Sequence, residues 1–381
     1  NANVAVGKDA LKANTTADNN TAVGIDALTA NTTGHSNVAI GANALLTSTT
    51  RLGNTAVGFN AAKVTDTTGI VAVGYKAMEA NTTGYDAVAV GASSLLANTT
   101  GHSNTAVGFS ALAANTTGAD NTAVGNSALL ANTTGTRNTV VGVDSSNQIT
   151  SGSDNTAMGF DALTRCTTGV SNTCIGKDAG DNITNGGYNT CLGIDSGTNI
   201  TQGSAHVMVG DSTTASAENS QNEIVIGVGI AGVGSNSFTF GKASNRVSND
   251  FDTNASWTRS SDINKKTNIE NTDLGLSFIN ELRPVTFNWK SNNEFPTHFE
   301  DYSETENHMD TETNLYGMIA QDVEKALDKV GHKNFGGWSE QEDGSQMLAQ
   351  SMFIYPLINA VKELSTTVDE LKQELSALKG E

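Results

Sequence analysis

Glycine recurs through more than half of this chain on a fixed grid: Gly7, Gly24, Gly41, Gly58, Gly74, Gly91, Gly108, Gly125, Gly142, Gly159, Gly176, Gly193, Gly210 and Gly227. Each step is 17 residues except Gly58 to Gly74, which is 16. A chain that returns to the same residue at a short fixed period folds as one supersecondary unit stacked on copies of itself. The composition fits this. Aromatics make up only 6% of the 381 residues, too few for an ordinary globular core, whereas a solenoid fills its thin layers with small and β-branched side chains.

A typical unit runs Asn104-Thr105-Ala106-Val107-Gly108-Phe109-Ser110-Ala111-Leu112, then Asn115-Thr116-Thr117-Gly118. The residue before each grid glycine is Val, Ile, Leu or Met, and the residue two earlier is Val, Thr or Ile. That alternation predicts a strand of about five residues whose first and third apolar positions share one side. An Ala-Leu pair such as Ala27-Leu28 or Ala128-Leu129 follows, and an Asn-Thr-Thr-Gly corner turns the chain back. At ~4.8 Å per coil, fourteen coils make a prism roughly 65 Å long. Asn14, Asn31, Asn81, Asn98, Asn115 and Asn132 match the glycosylation pattern, but they sit at the repeat's own corner and are assigned to turn chemistry and stacked ladders. Cys174 and Cys191 fill the Ala slot of successive units and are expected, with Cys166, as small buried residues. Through Asn37-Val38-Ala39-Ile40-Gly41 and Glu223-Ile224-Val225-Ile226-Gly227, residues 1–240 or so resemble the β-roll heads of trimeric adhesins.

Net charge is −19, with acidity concentrated in the C-terminal third, which argues against nucleic acid or an anionic membrane as partner. No run of 18 apolar residues exists, so no membrane insertion is expected. The chain opens on Asn1 with no signal peptide and is read as a fragment of something longer. The six His lack ligand spacing, and the acids from Glu294 to Glu312 are read as a solvated loop; neither a metal nor a cofactor is expected.

The expected division is a shaft over 1–228, a Gly-, Ser- and Asn-rich connector over 229–260, and a distinct unit over 261–381. Three motifs mark that last unit. The first is Ser261-Asp262-Ile263-Asn264-Lys265-Lys266. The second, Leu276 to Trp289, reads as a short amphipathic helix and a strand joined at Pro284. The third, Tyr316-Gly317-Met318-Ile319-Ala320-Gln321-Asp322, leads into another helix. Together they resemble the intramolecular chaperone auto-processing domain that ends many phage tail spikes and fibres. That resemblance implies a trimeric folding clamp that cuts itself off through a Ser–Lys dyad, placed here on Ser261 and Lys266. Asn264 stands where the family pattern carries Arg.

A Ser hydroxyl becomes a nucleophile only when a base removes its proton, and a Lys amine is that base only when neutral, a form that burial favours. The favoured scissile bond is Ser260–Ser261. In the last helix Leu357, Val361, Leu364, Val368, Leu371, Leu375 and Leu378 alternate steps of four and three, a heptad seam that predicts a coiled coil over 354–379. The seam alone fits two or three chains; both resemblances imply three.

The expected fold is therefore mainly β with a C-terminal α+β part: a repeat β-solenoid or β-roll in a homotrimer, then an α+β chaperone with a coiled coil. The expected role is a fibre or adhesin on a virion tail or cell surface, touching a host glycan or envelope receptor and matured by single-turnover autoproteolysis. Rival readings are a bacterial trimeric adhesin reusing the same chaperone and, against the lack of catalytic acid pairs in the repeats, a glycan-degrading tail spike. A transcription factor bearing such a domain is opposed by the absence of a basic DNA-binding region.

Overall fold

The computed structural model describes residues 2–379 apart from 244, 253–262, 264–265, 300 and 308. It divides into two compact units, Asn1–Ser261 and Asp262–Glu381. The first is a parallel β-solenoid. Each grid glycine follows or closes a short strand, from β1 (Val4–Val6) to β14 (Ile224–Val228), and these strands stack in chain order within one 16-stranded sheet. Neighbours pair in register, Thr105 on Thr122 and Val107 on Val124.

Most strands span three residues, not the five expected, because at the fourth place before most grid glycines an asparagine takes over; Ile70, Ala87, His206 and Glu223 hold it in the other coils. The Asn121 N–H donates to the Asn104 side-chain Oδ1 (3.0 Å), and Asn121 Nδ2 donates to the Gly135 carbonyl (2.9 Å). Side-chain amide bonding thus replaces the sheet ladder at that end. At the other end the grid glycine takes a φ of +141° at Gly108, and a Cβ built there would collide with the Gly125 carbonyl oxygen of the next coil. Only glycine allows both the angle and the approach.

The middle residue of each strand faces inward. Ala22, Ala39, Ala56, Ala106, Cys174 and Cys191 are fully buried, and the flanking Thr or Val residues face outward. Leu28, Leu45, Leu95, Leu112 and Leu129 are fully buried as well and add larger side chains to the core. Leu112 holds a left-handed backbone, φ 52°, a strain of about 1–2 kcal/mol. Burying a Leu side chain contributes about 1.5–3 kcal/mol, enough to hold it there. Burial pushes the Cys166 thiol up to about 11.

The corner asparagines form a second ladder. Asn115 Nδ2 donates to Asn98 Oδ1 (2.8 Å) and to the Gly118 carbonyl (3.0 Å), while the Thr116 hydroxyl donates to the Thr133 carbonyl (3.0 Å). Asn31, Asn81, Asn98, Asn115 and Asn132 are fully buried, and Asn14 in the first coil is half-buried, so the glycosylation pattern is turn chemistry. This ladder ends at Asn132, whose Oδ1 has no partner, since Ile149 fills the next slot. The strand-side ladder ends at buried His206. Its Nδ1 accepts from the Glu223 N–H (3.2 Å) and its Nε2–H donates to the Ser220 carbonyl (2.8 Å), and burial lowers its pKa.

Past Gly227 the sheet continues. β15 (Ser237–Lys242) pairs parallel to β14 with Gly241 opposite Gly227, and β16 (Asn245–Asp250) folds back antiparallel on β15. The coil between β14 and β15 is shortened, so the 17-residue spacing alone does not show it.

The second unit contains α1 (Leu276–Ile279), β17 (Pro284–Phe287), β18 (Leu315–Met318), α2 (Ala320–Lys329), β19 (Trp338–Glu340), β20 (Gln346–Leu348) and α3 (Ile354–Lys379). β17 pairs antiparallel with β18, and β19 with β20. Its small core gathers Leu274, Phe278, Val323, Ala326, Leu327 and Phe353.

Two outcomes follow from the shaft. Gly108→Ala should lower shaft stability by about 1–3 kcal/mol, the cost of forcing atoms into a filled interior, read from the denaturant midpoint. The second concerns Asp144, Asp161, Asp178 and Asp195, which share one slot in successive coils. Burial, then Asp178 and Asp144, raise the Asp161 pKa, so its ionised form costs stability above that raised pKa and the cost is relieved as pH falls through it. Asp161→Asn should therefore stabilise the shaft at pH 7, with the gain vanishing near pH 3, below the ordinary Asp range of about 3.9. Thermal melts at both pH values check this.

Candidate functional site

Of the residues expected to carry self-cleavage, Ser260 and Ser261 lie outside the described residues. Lys266 is described and is solvent-exposed in the single chain; its backbone N–H donates to the Ile263 carbonyl (3.1 Å). From Lys266 to Gly275 the chain forms neither helix nor strand.

The two later motifs come together. The strand after Arg283 pairs with the strand before Asp322, Pro284 opposite Met318 and Phe287 opposite Leu315. The Arg283 guanidinium meets the Asp322 carboxylate at 2.6 Å and holds its pKa below the usual range. Lys329 reaches Glu281 at 2.6 Å, a second exposed pair between the same two motifs. Beneath them Phe278 is fully buried, with ring centroids 5.7 Å from Phe335 and 6.2 Å from Phe353. Phe353 immediately precedes α3, so one aromatic cluster joins the motif helix to the base of the final helix.

Two apolar surfaces stay open to solvent. On α3 the seam residues Leu357, Val361, Leu364, Val368, Leu371, Leu375 and Leu378 are all exposed, Leu378 at 85%. On the shaft, Val6, Ile40, Val90, Met158, Leu192 and Ile226 precede their grid glycines and are exposed; Phe59, Tyr75, Phe109 and Phe160, which follow theirs, are exposed too, in a slot that Lys8, Lys177 and Asp211 fill in other coils. The two outward strand columns contain no charged residue from Val4 to Ile226. Monomers rarely expose continuous apolar patches above a few hundred Å².

Among the described residues no group of three or more His, Cys, Asp or Glu side chains could hold a metal ion. No described helix is long and apolar enough to cross a membrane. Sequence reasoning passed over Asn359 and Glu363 on α3, which bond to the segment leading into α1. Their one signal was a place off the seam on an otherwise heptad helix.

Residues 261–332 match the family described as chaperone of endosialidase. The match begins on Ser261 and takes in α1, β17, β18 and α2. No curated protein and no solved structure matches the chain. The molecule is thus a β-solenoid followed by a small α+β unit, of which residues 261–332 are similar to the chaperone of endosialidase family.

Phe278→Ala should cost the second unit about 3–5 kcal/mol, a large share of what so small a core supplies. Near-UV circular dichroism and proteolysis of the C-terminal unit should show the loss while shaft melting stays unchanged.

Proposed function

We propose that this chain is a homotrimeric attachment fibre whose C-terminal unit assembles three copies and then severs itself through Ser261 and Lys266. The carrying observation is the uncharged strip formed by the two outward strand columns of the shaft. A partner for that strip must present apolar side chains at the same axial repeat, coil after coil, and further copies of this chain do so. The exposed α3 seam is a second self-complementary surface, and the chaperone-of-endosialidase match supports the same assembly. We read the division as shaft 1–228, connector 229–260 and processing unit 261–381.

In this reading α3 zips first as a coiled coil, because parallel stacking of distant strands is slow and leaves aggregation-prone edges exposed. Packing of three units then buries Lys266, which is exposed in one chain, and so favours its neutral amine. The amine takes the Ser261 hydroxyl proton as Oγ attacks the Ser260 carbonyl carbon. The Ser260–Ser261 C–N bond breaks, the Ser261 nitrogen takes the proton back from Lys266, and an ester joins the Ser260 carbonyl to Ser261 Oγ. Water hydrolyses the ester, leaving a carboxyl on Ser260 and the free hydroxyl on Ser261. The finished shaft would serve on a virion tail or cell surface, with a host glycan or envelope component as receptor.

Mass spectrometry and crosslinking of wild type beside Ser261→Ala test this. Wild type should release a C-terminal fragment of residues 261–381, Ser261→Ala should stay whole, and both should be trimers. An uncut assembled wild type, or a cut Ser261→Ala, overturns the dyad; a monomeric particle overturns the fibre.

A further inference from the structure

Helix α3 has two working faces. The seam described above is exposed, while Phe353, just before it, and Pro356 and Ala360 in its first turns are buried in the chain's own unit. Asn359 and Glu363, one turn apart, lie off the seam, with Asn359 diametrically opposite it in the heptad. Asn359 Nδ2 donates to the Thr272 carbonyl (3.1 Å) and the Leu274 carbonyl (3.3 Å). The Glu363 carboxylate accepts the Leu276 N–H at 2.7 Å. Gly275 makes that approach available, since a Cβ at 275 would overlap both carboxylate oxygens.

We infer that Asn359 and Glu363 form a latch that makes self-cleavage depend on the zipping of α3, acting as positioning residues and not as members of the dyad. The inference rests on the processing reading above. The segment they hold, Thr272 to Leu276, lies downstream of Lys266 along an irregular run with no helix or strand of its own. Six residues of extended chain reach at most about 20 Å, so fixing Thr272 confines Lys266 to that radius. The latch contacts are already made in the single chain; zipping the seam would stiffen the helix that carries them, hold its opposite face, and so keep fixed the start of the segment that carries the dyad lysine. Trimerisation would then order the dyad's supporting chain in addition to drying it.

The test uses the full-length chain, assembled and followed by mass for trimer content and by gel for the rate of fragment appearance. Asn359→Ala with Glu363→Ala should form trimers like wild type, because the seam is untouched, yet be cut roughly ten-fold or more slowly, the scale of losing one or two positioning hydrogen bonds. Glu363→Gln retains an acceptor for the Leu276 N–H and, with Asn359 intact, should be cut within about two- to three-fold of wild type, whereas Glu363→Ala should not. A double variant that trimerises and is cut at the wild-type rate overturns the latch alone. Loss of trimers in the double variant, or no difference between Glu363→Gln and Glu363→Ala, also overturns it, by giving these residues a role in folding only. An uncut wild type overturns the latch together with the processing reading.

Discussion

The shaft depends on one contact, the approach of each grid glycine's backbone to the carbonyl of the glycine one coil on. With no Cβ at these points, main chains close to sheet spacing at the bend where a strand ends, and every other column falls into register behind them. The in-register Asn amides, Thr hydroxyls and Ala-Leu layers are consequences of that registration, since side chains can ladder only when identical positions lie above one another. A single short coil, Thr55 to Gly69, tests the rule: Thr55 still pairs with Val71 and Gly58 still meets Gly74. The missing residue is absorbed at the corner, where Asn54 Nδ2 bonds to the Thr67 carbonyl at 2.7 Å.

The grid in the sequence was enough to place the solenoid, its strands and its corners, because a repeated constraint leaves the same mark many times. The alternation of Thr-Ala-Val did not reveal which side was the interior. The small residue lies inside and the larger ones outside, the reverse of a sheet packed on a conventional core, since a coil this thin has no room for two β-branched rows. Strand length was also hidden, because Asn121 and its equivalents look like loop residues until their side chains are seen taking the place of backbone partners. The continuation through Gly241 was invisible for a simpler reason: a shortened coil falls off the period.

In the second unit the helix–strand motif around Pro284 and the final helix were legible from local patterning, and both were found. The pairing of Arg283 with Asp322 and the Asn359–Glu363 contacts join residues far apart in the chain, which no local pattern encodes. The proposed dyad is the opposite case. Ser261 and Lys266 are named by a motif alone; Lys266 is exposed in the single chain, so the dry surroundings that the proposed chemistry needs would have to come from assembly.

The buried strand-side amide column ends at His206 and Glu223, where two titratable groups take places held in most other coils by neutral asparagine. A protonated imidazole would point a hydrogen at the Glu223 N–H, so the last coils of the shaft tolerate only one charge state of that ring. The column therefore carries its acid sensitivity at one end, and acidification below the ordinary imidazole range should loosen the coils around His206 before the coils upstream.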